Sequence, residues 1–93
     1  MKIQKRSNQF KSDVKLVARR GKDISKLEPV LSFLIDGKPL PLNYKDHPLK
    51  GSYTGRRECH IEPDWLLIYK SENDIVIFER TGRHSDLFEK KNR

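Results

Sequence analysis

The first part of the chain shows the spacing of an amphipathic helix. Ser7 or Asn8 can cap a helix that runs to about Arg20, and Gly21 is a natural end. Apolar residues recur at i, i+4 and i+7 on one face of this helix: Phe10, Val14 and Val17. Because cations occupy the other faces, the helix is predicted to pack by one narrow stripe. The alternating segment Lys2–Lys5 precedes it and is typical of an edge strand.

A second helix is predicted from about Ser25 to Asp36. Ser25 and Glu28 have the spacing of a capping box. Pro29 is tolerated because it falls in the first turn, and Gly37 ends the helix. This helix has a broad apolar face, formed by Leu27, Val30, Leu31, Leu34 and Ile35.

The second half of the chain has the character of a sheet. Residues 38–55 show no period and read as a long loop, a kind of segment that is often functional. After it, apolar runs separated by tight turns predict an antiparallel meander of Arg57–Glu62, Trp65–Tyr69 and Ile75–Arg80. Leu87 and Phe88 fall in a short terminal helical turn, and the tail 89–93 is predicted to fray.

Helices followed by a meander are typical of an α+β fold. We therefore predict a single domain over residues 1–93, with two N-terminal helices packed on a small antiparallel sheet. The helices cover one face of that sheet, and the open face is expected to carry the function.

Composition limits the kind of site that such a domain can hold. Of its 93 residues, 34% are hydrophobic and 35% charged, against about 25% charged in an average chain. Leu, Ile, Val and Phe supply 25 of the 93 residues, which exceeds the roughly 20% below which chains stay unfolded. The core is thin, so an active site is expected to be a shallow surface cleft.

The formal net charge of +7 is concentrated near the N-terminus. Residues 1–28 hold nine basic and three acidic side chains, whereas residues 29–93 hold eleven and ten. Such a field attracts nucleic acid, an anionic membrane or an acidic protein, although it also serves solubility alone. The narrow apolar stripe of the first helix disfavours the membrane.

Two further features indicate a cytoplasmic protein. The single cysteine, Cys59, excludes an internal disulfide. No apolar run approaches the roughly 18–20 residues that span a bilayer, and no signal-peptide core follows Met1.

Histidines supply the candidate chemistry. His47 lies in the long loop, His60 at the end of a strand and His84 just past the last strand. Asp64 occupies the turn after His60, and Arg80 closes the last strand. Histidine suits proton transfer at neutral pH because its unperturbed pKa is about 6.5. The alternative is that scattered histidines simply face solvent.

A metal centre is the competing interpretation, because Cys59 could join the histidines as a ligand. No two of these residues have a typical zinc spacing, and Cys59 and His60 point to opposite faces of their strand. We therefore expect no metal and no other cofactor. Serine or cysteine nucleophile motifs and phosphate-binding glycine loops are absent from the sequence.

Aromatic and basic residues add candidate contacts to RNA. Phe88, near the terminus, can stack on a base. The pair Arg56 and Arg57 either contacts phosphate or is solvated. The remaining large aromatics are predicted to fill the core: Trp65, Tyr69 and Phe78.

An ordered series of short segments matches a known family over nearly the whole chain, excluding 89–93. The segments are Tyr44–Leu49, Gly51–Ser52, His60–Lys70 and Phe78–Gly82, with Asp13–Lys15, the Leu-rich second helix, His84, Leu87 and Phe88. Together they closely resemble the YafQ branch of the RelE/ParE toxin superfamily.

This resemblance implies a bacterial type II toxin with the RelE-like microbial RNase fold. Such a toxin is an endoribonuclease that cuts mRNA on the translating ribosome. Its partners would be the ribosome, mRNA and a cognate antitoxin with an acidic segment that wraps the toxin. Operator DNA would be reached only indirectly, through the antitoxin, and no membrane is involved.

The resemblance also implies roles for single residues. The family's catalytic residues fall on His47, His60, Asp64, Arg80, His84 and Phe88. We assign substrate binding to Trp65, Arg56, Arg57 and Lys45. Ribosome or antitoxin docking is assigned to the cations of the first helix: Lys11, Lys15, Arg19 and Arg20.

Metal-free RNA cleavage needs a base for the 2′-hydroxyl, donors for the phosphate and an acid for the leaving oxygen. We hypothesise that Asp64 or His60 is the base and His84 the acid. Arg80 and His47 would hold the phosphate. Two aromatic side chains would position the nucleobase of the RNA or line the site: Phe88 and Trp65. The products would be a 2′,3′-cyclic phosphate or 3′-phosphate and a 5′-hydroxyl.

Two alternatives belong to other functional classes. A ParE-like toxin would inhibit a protein target such as gyrase without cutting RNA, and a basic RNA-binding module would have no activity. The three histidines with Asp64 and Arg80 favour the enzyme, because a pure inhibitor does not need that set of groups.

Overall fold

A five-stranded sheet is the central feature of the computed structural model, which describes residues 1–88. The strands lie in the order β1-β5-β4-β3-β2. Neighbours from β2 to β5 are antiparallel, whereas β1 runs parallel to β5. The strands are β1 (Ile3–Arg6), β2 (His47–Pro48), β3 (Arg57–Glu62), β4 (Trp65–Ser71) and β5 (Ile75–Gly82). The predicted meander forms the centre of this sheet.

In the described part of the chain, three α-helices accompany the sheet: α1 (Asn8–Arg19), α2 (Leu27–Ile35) and α3 (His84–Leu87). Ser7 caps α1, and its hydroxyl accepts the amide of Phe10 at 2.9 Å, as the sequence predicts. Helix α2 begins two residues later than predicted. Asp23 caps a 3₁₀ turn, Ile24–Lys26, that leads into it, so Ser25 is not the cap.

The α+β class is confirmed, but the layout differs from the prediction of two helices on a small antiparallel sheet. Within residues 1–88 there are five strands, one parallel pair and a third, four-residue helix. The alternation of Lys2–Lys5 predicts a strand but not its direction, which depends on where the helices return the chain. The predicted loop 38–55 contains the two-residue β2. The tail 89–93, predicted to fray, lies outside the described residues.

Successive side chains of a strand point to opposite faces, and the two faces of this sheet differ. One face, here called the helix face, packs on α1 and α2. Its buried core contains Phe10, Val17, Leu27, Val30, Leu31, Leu34, Leu40, Cys59, Trp65, Leu67, Tyr69, Val76 and Phe78. The opposite face, here called the open face, carries a smaller cluster of Leu66, Ile68 and Leu87, with Leu49 and Tyr53 against it.

Trp65 anchors the helix face and is 1% exposed. Its indole N–H donates to the Thr81 hydroxyl at 2.9 Å, and that hydroxyl donates to the Leu66 carbonyl at 2.7 Å. Every polar atom of this pair is therefore satisfied inside the core. No helix among residues 1–88 has the length and apolar character needed to cross a membrane.

Candidate active site

The strand register lines up polar residues across the open face. His47 of β2 lies opposite Glu58 of β3, Glu58 lies opposite Ile68 of β4, and Ile68 lies opposite Arg80 of β5. Directly opposed residues share a face, so these four side chains form one row. His60 lies in the next row, opposite Leu66.

The three histidines, which are far apart in the sequence, come together at one end of the open face. The rings of His47 and His60 have centroids 6.3 Å apart, and those of His60 and His84 are 6.2 Å apart. Phe88 continues the series, with its ring 5.8 Å from that of His84. The side chains of His47 and His84 are about half exposed, so the cluster is open to solvent.

Glu58 is a residue of this site that the sequence analysis missed. It is 3% exposed, and its Oε1 lies 2.9 Å from Nε2 of His47 and 3.4 Å from Nε2 of His60. The hydrogen bond to Glu58 fixes the orientation of the His47 ring, and the same carboxylate places a negative charge beside His60. The alternation of β3 could have shown it, because Glu58 is two residues from His60 and shares its face.

Asp64 orients His84 from the turn between β3 and β4. Its Oδ1 accepts the backbone amide of His84 at 3.0 Å and lies 3.1 Å from Nδ1 of the ring. These contacts with the backbone and side chain of His84 lower the pKa of Asp64. With Nδ1 facing Asp64, Nε2 is the nitrogen of His84 that can face a substrate.

Arg80 is held by a buried carboxylate of α1. Asp13, 5% exposed, accepts Nε of Arg80 at 2.8 Å and Nη2 at 3.3 Å, and it also accepts the amide of Thr81 at 3.1 Å. The hydrogen bond that Arg80 donates to Asp13 is the main cause of the raised pKa of Arg80. The guanidinium is fixed through Nε and Nη2, which leaves Nη1 as its third nitrogen for an anion.

Asp13 is the second site residue that the sequence analysis missed as a functional group. It lies between Phe10 and Val17, on the buried stripe of α1. A carboxylate on an apolar stripe needs a partner inside the protein. That mismatch could have identified Asp13 as the partner of a cation inside the fold.

Two residues assigned to substrate binding lie away from the histidines. Trp65 is buried in the core on the helix face, so it presents no ring to a base on the open face. Arg57 directly precedes Glu58 in β3, and neighbouring residues of a strand point to opposite faces. Because Glu58 and His60 lie on the open face, Arg57 points to the helix face. There its Nε lies 3.3 Å from the carboxylate of Asp46.

The other two predicted substrate contacts remain accessible. Arg56 pairs with Glu79 through Nε at 2.9 Å and is partly exposed. Lys45 is exposed and lines a cavity of about 250 Å³ together with Asn43 and His60. Its φ of +52° is an uncommon conformation for a residue with a side chain, as is found at functional sites.

The predicted docking cations divide into two groups. Lys11, Lys15 and Arg19 are exposed on α1. Arg20 instead forms an ion pair with Asp86 of α3, with Nη1 2.6 Å from Oδ2. Its guanidinium therefore contacts the helix that carries His84.

Among residues 1–88, one group of side chains has the geometry to hold a metal ion. The ligand atoms of His47, Glu58 and His60 all lie within 4.8 Å of one another. Spacing along the chain did not indicate this group, because β2–β3 pairing brings together residues that are far apart in the sequence. Cys59 is excluded from the group because it is buried on the helix face, where burial raises the pKa of its thiol.

Comparison with known proteins places the chain in a family. The family described as "Bacterial toxin of type II toxin-antitoxin system, YafQ" matches residues 2–89. The mRNA interferase toxin YafQ of Escherichia coli strain K12 is 52% identical over 83 residues, which cover 88% of this chain and 90% of that protein.

Solved structures agree with this placement. The crystal structure of the Escherichia coli DinJ–YafQ complex has a chain with 48% identity and a TM-score of 0.90, covering 96% of this chain and 100% of that chain. A metal-bound toxin from Helicobacter pylori has 39% identity and a TM-score of 0.87, covering 95% of this chain and 100% of that one. The chain therefore belongs to the YafQ family of bacterial toxins of type II toxin–antitoxin systems.

Proposed function

We propose that this toxin is a ribosome-dependent endoribonuclease that cleaves mRNA by metal-independent acid–base catalysis and so inhibits translation. The observation that supports this activity most strongly is the cluster of His47, His60 and His84 on the open face. Asp64 and Arg80 lie beside this cluster. The name of the Escherichia coli relative, an mRNA interferase, supports the same activity. The ParE-like inhibitor is not favoured, because it would need no such cluster.

The contacts of Asp64 favour His60 as the general base. Asp64 already accepts the amide of His84 and faces its ring, and its lowered pKa makes it a weak proton acceptor. His60 takes the proton of the 2′-hydroxyl, and the 2′-oxygen forms a bond to phosphorus. The bond from phosphorus to the 5′-oxygen breaks, and Nε2 of protonated His84 donates a proton to that oxygen.

Charge on the phosphate is stabilised by Arg80 and His47, which lie in the same row of the open face. Arg80 is a fixed donor because Asp13 orients it, and a fixed donor costs no reorganisation when charge develops on the phosphate oxygens. His47 has Nε2 2.9 Å from Glu58 and Nδ1 3.1 Å from the Pro48 carbonyl, so it contacts the phosphate by releasing that carbonyl. Phe88 stacks on a nucleobase of the RNA, while Lys45 and Arg56 contact the flanking RNA.

The products of this scheme are a 2′,3′-cyclic phosphate and a 5′-hydroxyl. The ribosome supplies the substrate positioning that an open, shallow site does not. Lys11, Lys15 and Arg19 bind ribosomal RNA phosphates and receive an acidic antitoxin segment, so affinity for the ribosome falls steeply with added salt.

The proposal also includes the partners and the location of the toxin. The complex of an Escherichia coli YafQ with DinJ supports a cognate antitoxin as partner. We infer that the toxin acts in the cytoplasm, as one RelE-like domain over residues 1–93, and that operator DNA is reached only through the antitoxin.

Expression of His60→Ala and His84→Ala variants beside the wild type tests the proposal. Growth arrest and mRNA cleavage on purified ribosomes are scored, with Lys38→Ala, an exposed residue outside the site, as control. We expect both histidine variants to lose at least about 100-fold in cleavage rate, since general acid–base catalysis contributes 10²–10⁴-fold. Full toxicity of both would instead support a binding toxin.

Two further experiments test the metal-independent acid–base mechanism. RNA ends are identified after cleavage, and 3′-hydroxyl with 5′-phosphate ends would contradict the scheme. The toxin alone is also dialysed against a chelator before it meets the ribosomes. Activity that disappears and returns with added Zn²⁺ would show that His47, Glu58 and His60 work through a metal.

A further inference from the structure

Helix α3 is too short to hold its own position. It has four residues, His84–Leu87, and carries the proposed acid at its start, with Phe88 directly after its end. Isolated helices need roughly 12–15 residues to be even marginally stable. The position of His84 therefore depends on what holds α3 against the rest of the molecule.

Asp86 ties this helix to α1. Its carboxylate accepts Nη1 of Arg20 at 2.6 Å and Nη2 at 3.2 Å, and it also accepts the backbone amide of Arg83 at 3.0 Å. Arg20 is the C-cap residue of α1. A guanidinium that makes two parallel hydrogen bonds to one carboxylate fixes angle as well as distance. The link therefore determines the orientation of α3 relative to α1.

The end of β5 allows this close approach. Gly82 has a φ of +153°, and a Cβ at this position would lie 3.0 Å from Oδ2 of Asp86. Glycine leaves room for the carboxylate to rest against the strand end. The chain can then turn directly from β5 into α3.

The other side of α3 is anchored to the open face. Leu87 is 6% exposed in the small apolar cluster, and the Tyr53 hydroxyl donates to its carbonyl at 3.0 Å. Held on both sides, α3 places His84 against Asp64 and beside His60.

We propose that Arg20 and Asp86 are positioning residues, which act through α3 to hold His84 in its catalytic orientation. This reassigns Arg20 from the docking surface to the support of the active site. The proposal rests on the proposed function, because it describes how the acid of that reaction is aligned. A displacement of about 1 Å at a reacting group can cost 10²-fold in rate.

Asp86→Asn and Arg20→Gln test the proposal. Arg20→Lys is a milder variant, because lysine keeps the charge but cannot donate two parallel hydrogen bonds to one carboxylate. The matched control is Asp23→Asn, which weakens a carboxylate cap on the short turn Ile24–Lys26, away from α3. Cleavage kinetics on ribosomes and amide hydrogen exchange of the free toxin are measured for each.

We expect Asp86→Asn and Arg20→Gln to lower kcat by about tenfold or more, with a smaller rise in KM, since Phe88 is the one proposed substrate contact that directly follows α3. The His84 amide, which donates to Asp64, should exchange faster, and Arg20→Lys should give an intermediate loss. Asp23→Asn should match the wild type.

Wild-type kcat in folded Asp86→Asn and Arg20→Gln would overturn the proposal, as would a lower kcat with unchanged exchange at the His84 amide. If the wild type itself cleaves no RNA, the proposed function fails. Hydrogen exchange at the His84 amide then still decides whether the ion pair positions α3.

Discussion

The buried carboxylate of Asp13 links stability to the active site, and its removal has a calculable effect. Asp13→Ala deletes the acceptor of the Arg80 guanidinium and of the Thr81 amide. A buried donor left without a partner costs about 1–3 kcal/mol, and hydrogen bonds to charged groups contribute about 1.5–3 kcal/mol. Arg80 is 26% exposed in its side chain and can turn partly to water, so we expect a total loss of about 3 kcal/mol.

The loss is measured by urea unfolding, followed by circular dichroism and by the fluorescence of the single tryptophan, with a common slope for all variants. Asp13→Asn should lose about half as much, because its amide oxygen still accepts from Thr81. Glu72→Ala is the control, since its carboxylate is exposed and lies 3.7 Å from Lys70; it should change the free energy of unfolding by less than about 0.5 kcal/mol. A loss below about 1 kcal/mol in Asp13→Ala would show that Asp13 does not hold Arg80 and Thr81 as described.

Three further predictions concern other residues. Arg20 lowers the pKa of Asp86 to about 2, against about 3.9 in an unfolded chain. The stability from this ion pair is therefore present above pH 4 and lost between about pH 4 and pH 2; we expect about 1 kcal/mol after solvent screening, and a flatter acid-unfolding curve for Asp86→Asn. The thiol of Cys59, buried and with a raised pKa, should react with a thiol reagent only at the rate of unfolding, and fast labelling of the folded protein would contradict its placement. Trp65→Phe should cost about 1–2 kcal/mol through its lost bond to Thr81, with the RNA cleavage rate within about twofold of wild type; a large loss of rate in the folded variant would argue for a substrate contact.

The sequence predicted helices and strands well where the apolar residues follow one regular spacing. The stripe of Phe10, Val14 and Val17, with Ser7 or Asn8 as cap, predicted α1 to within one residue of each end. The apolar runs after residue 56 predicted the three strands of the meander. These elements depend on interactions between residues close in the chain, so their signals are local.

The partners of the long-range contacts could not be predicted in the same way. Nothing near Asp13 in the sequence indicates Arg80, 67 residues away. The residue pattern predicted Trp65 in the core, whereas the family resemblance made it a candidate substrate contact; its hydrogen bond to Thr81 places it in the core. A side chain's partner is decided by which strands and helices become neighbours.

Composition and periodicity carry the α+β class, the positive N-terminal segment and the types of titratable side chain that are available for chemistry. Which of these side chains meet follows from the tertiary structure. The register of β2 to β5 puts His47, Glu58 and Arg80 in one row, and the turn into α3 adds His84. The physical reason is that register and helix docking are set by burial of the whole core, and a shift of one residue would move His60 to the opposite face.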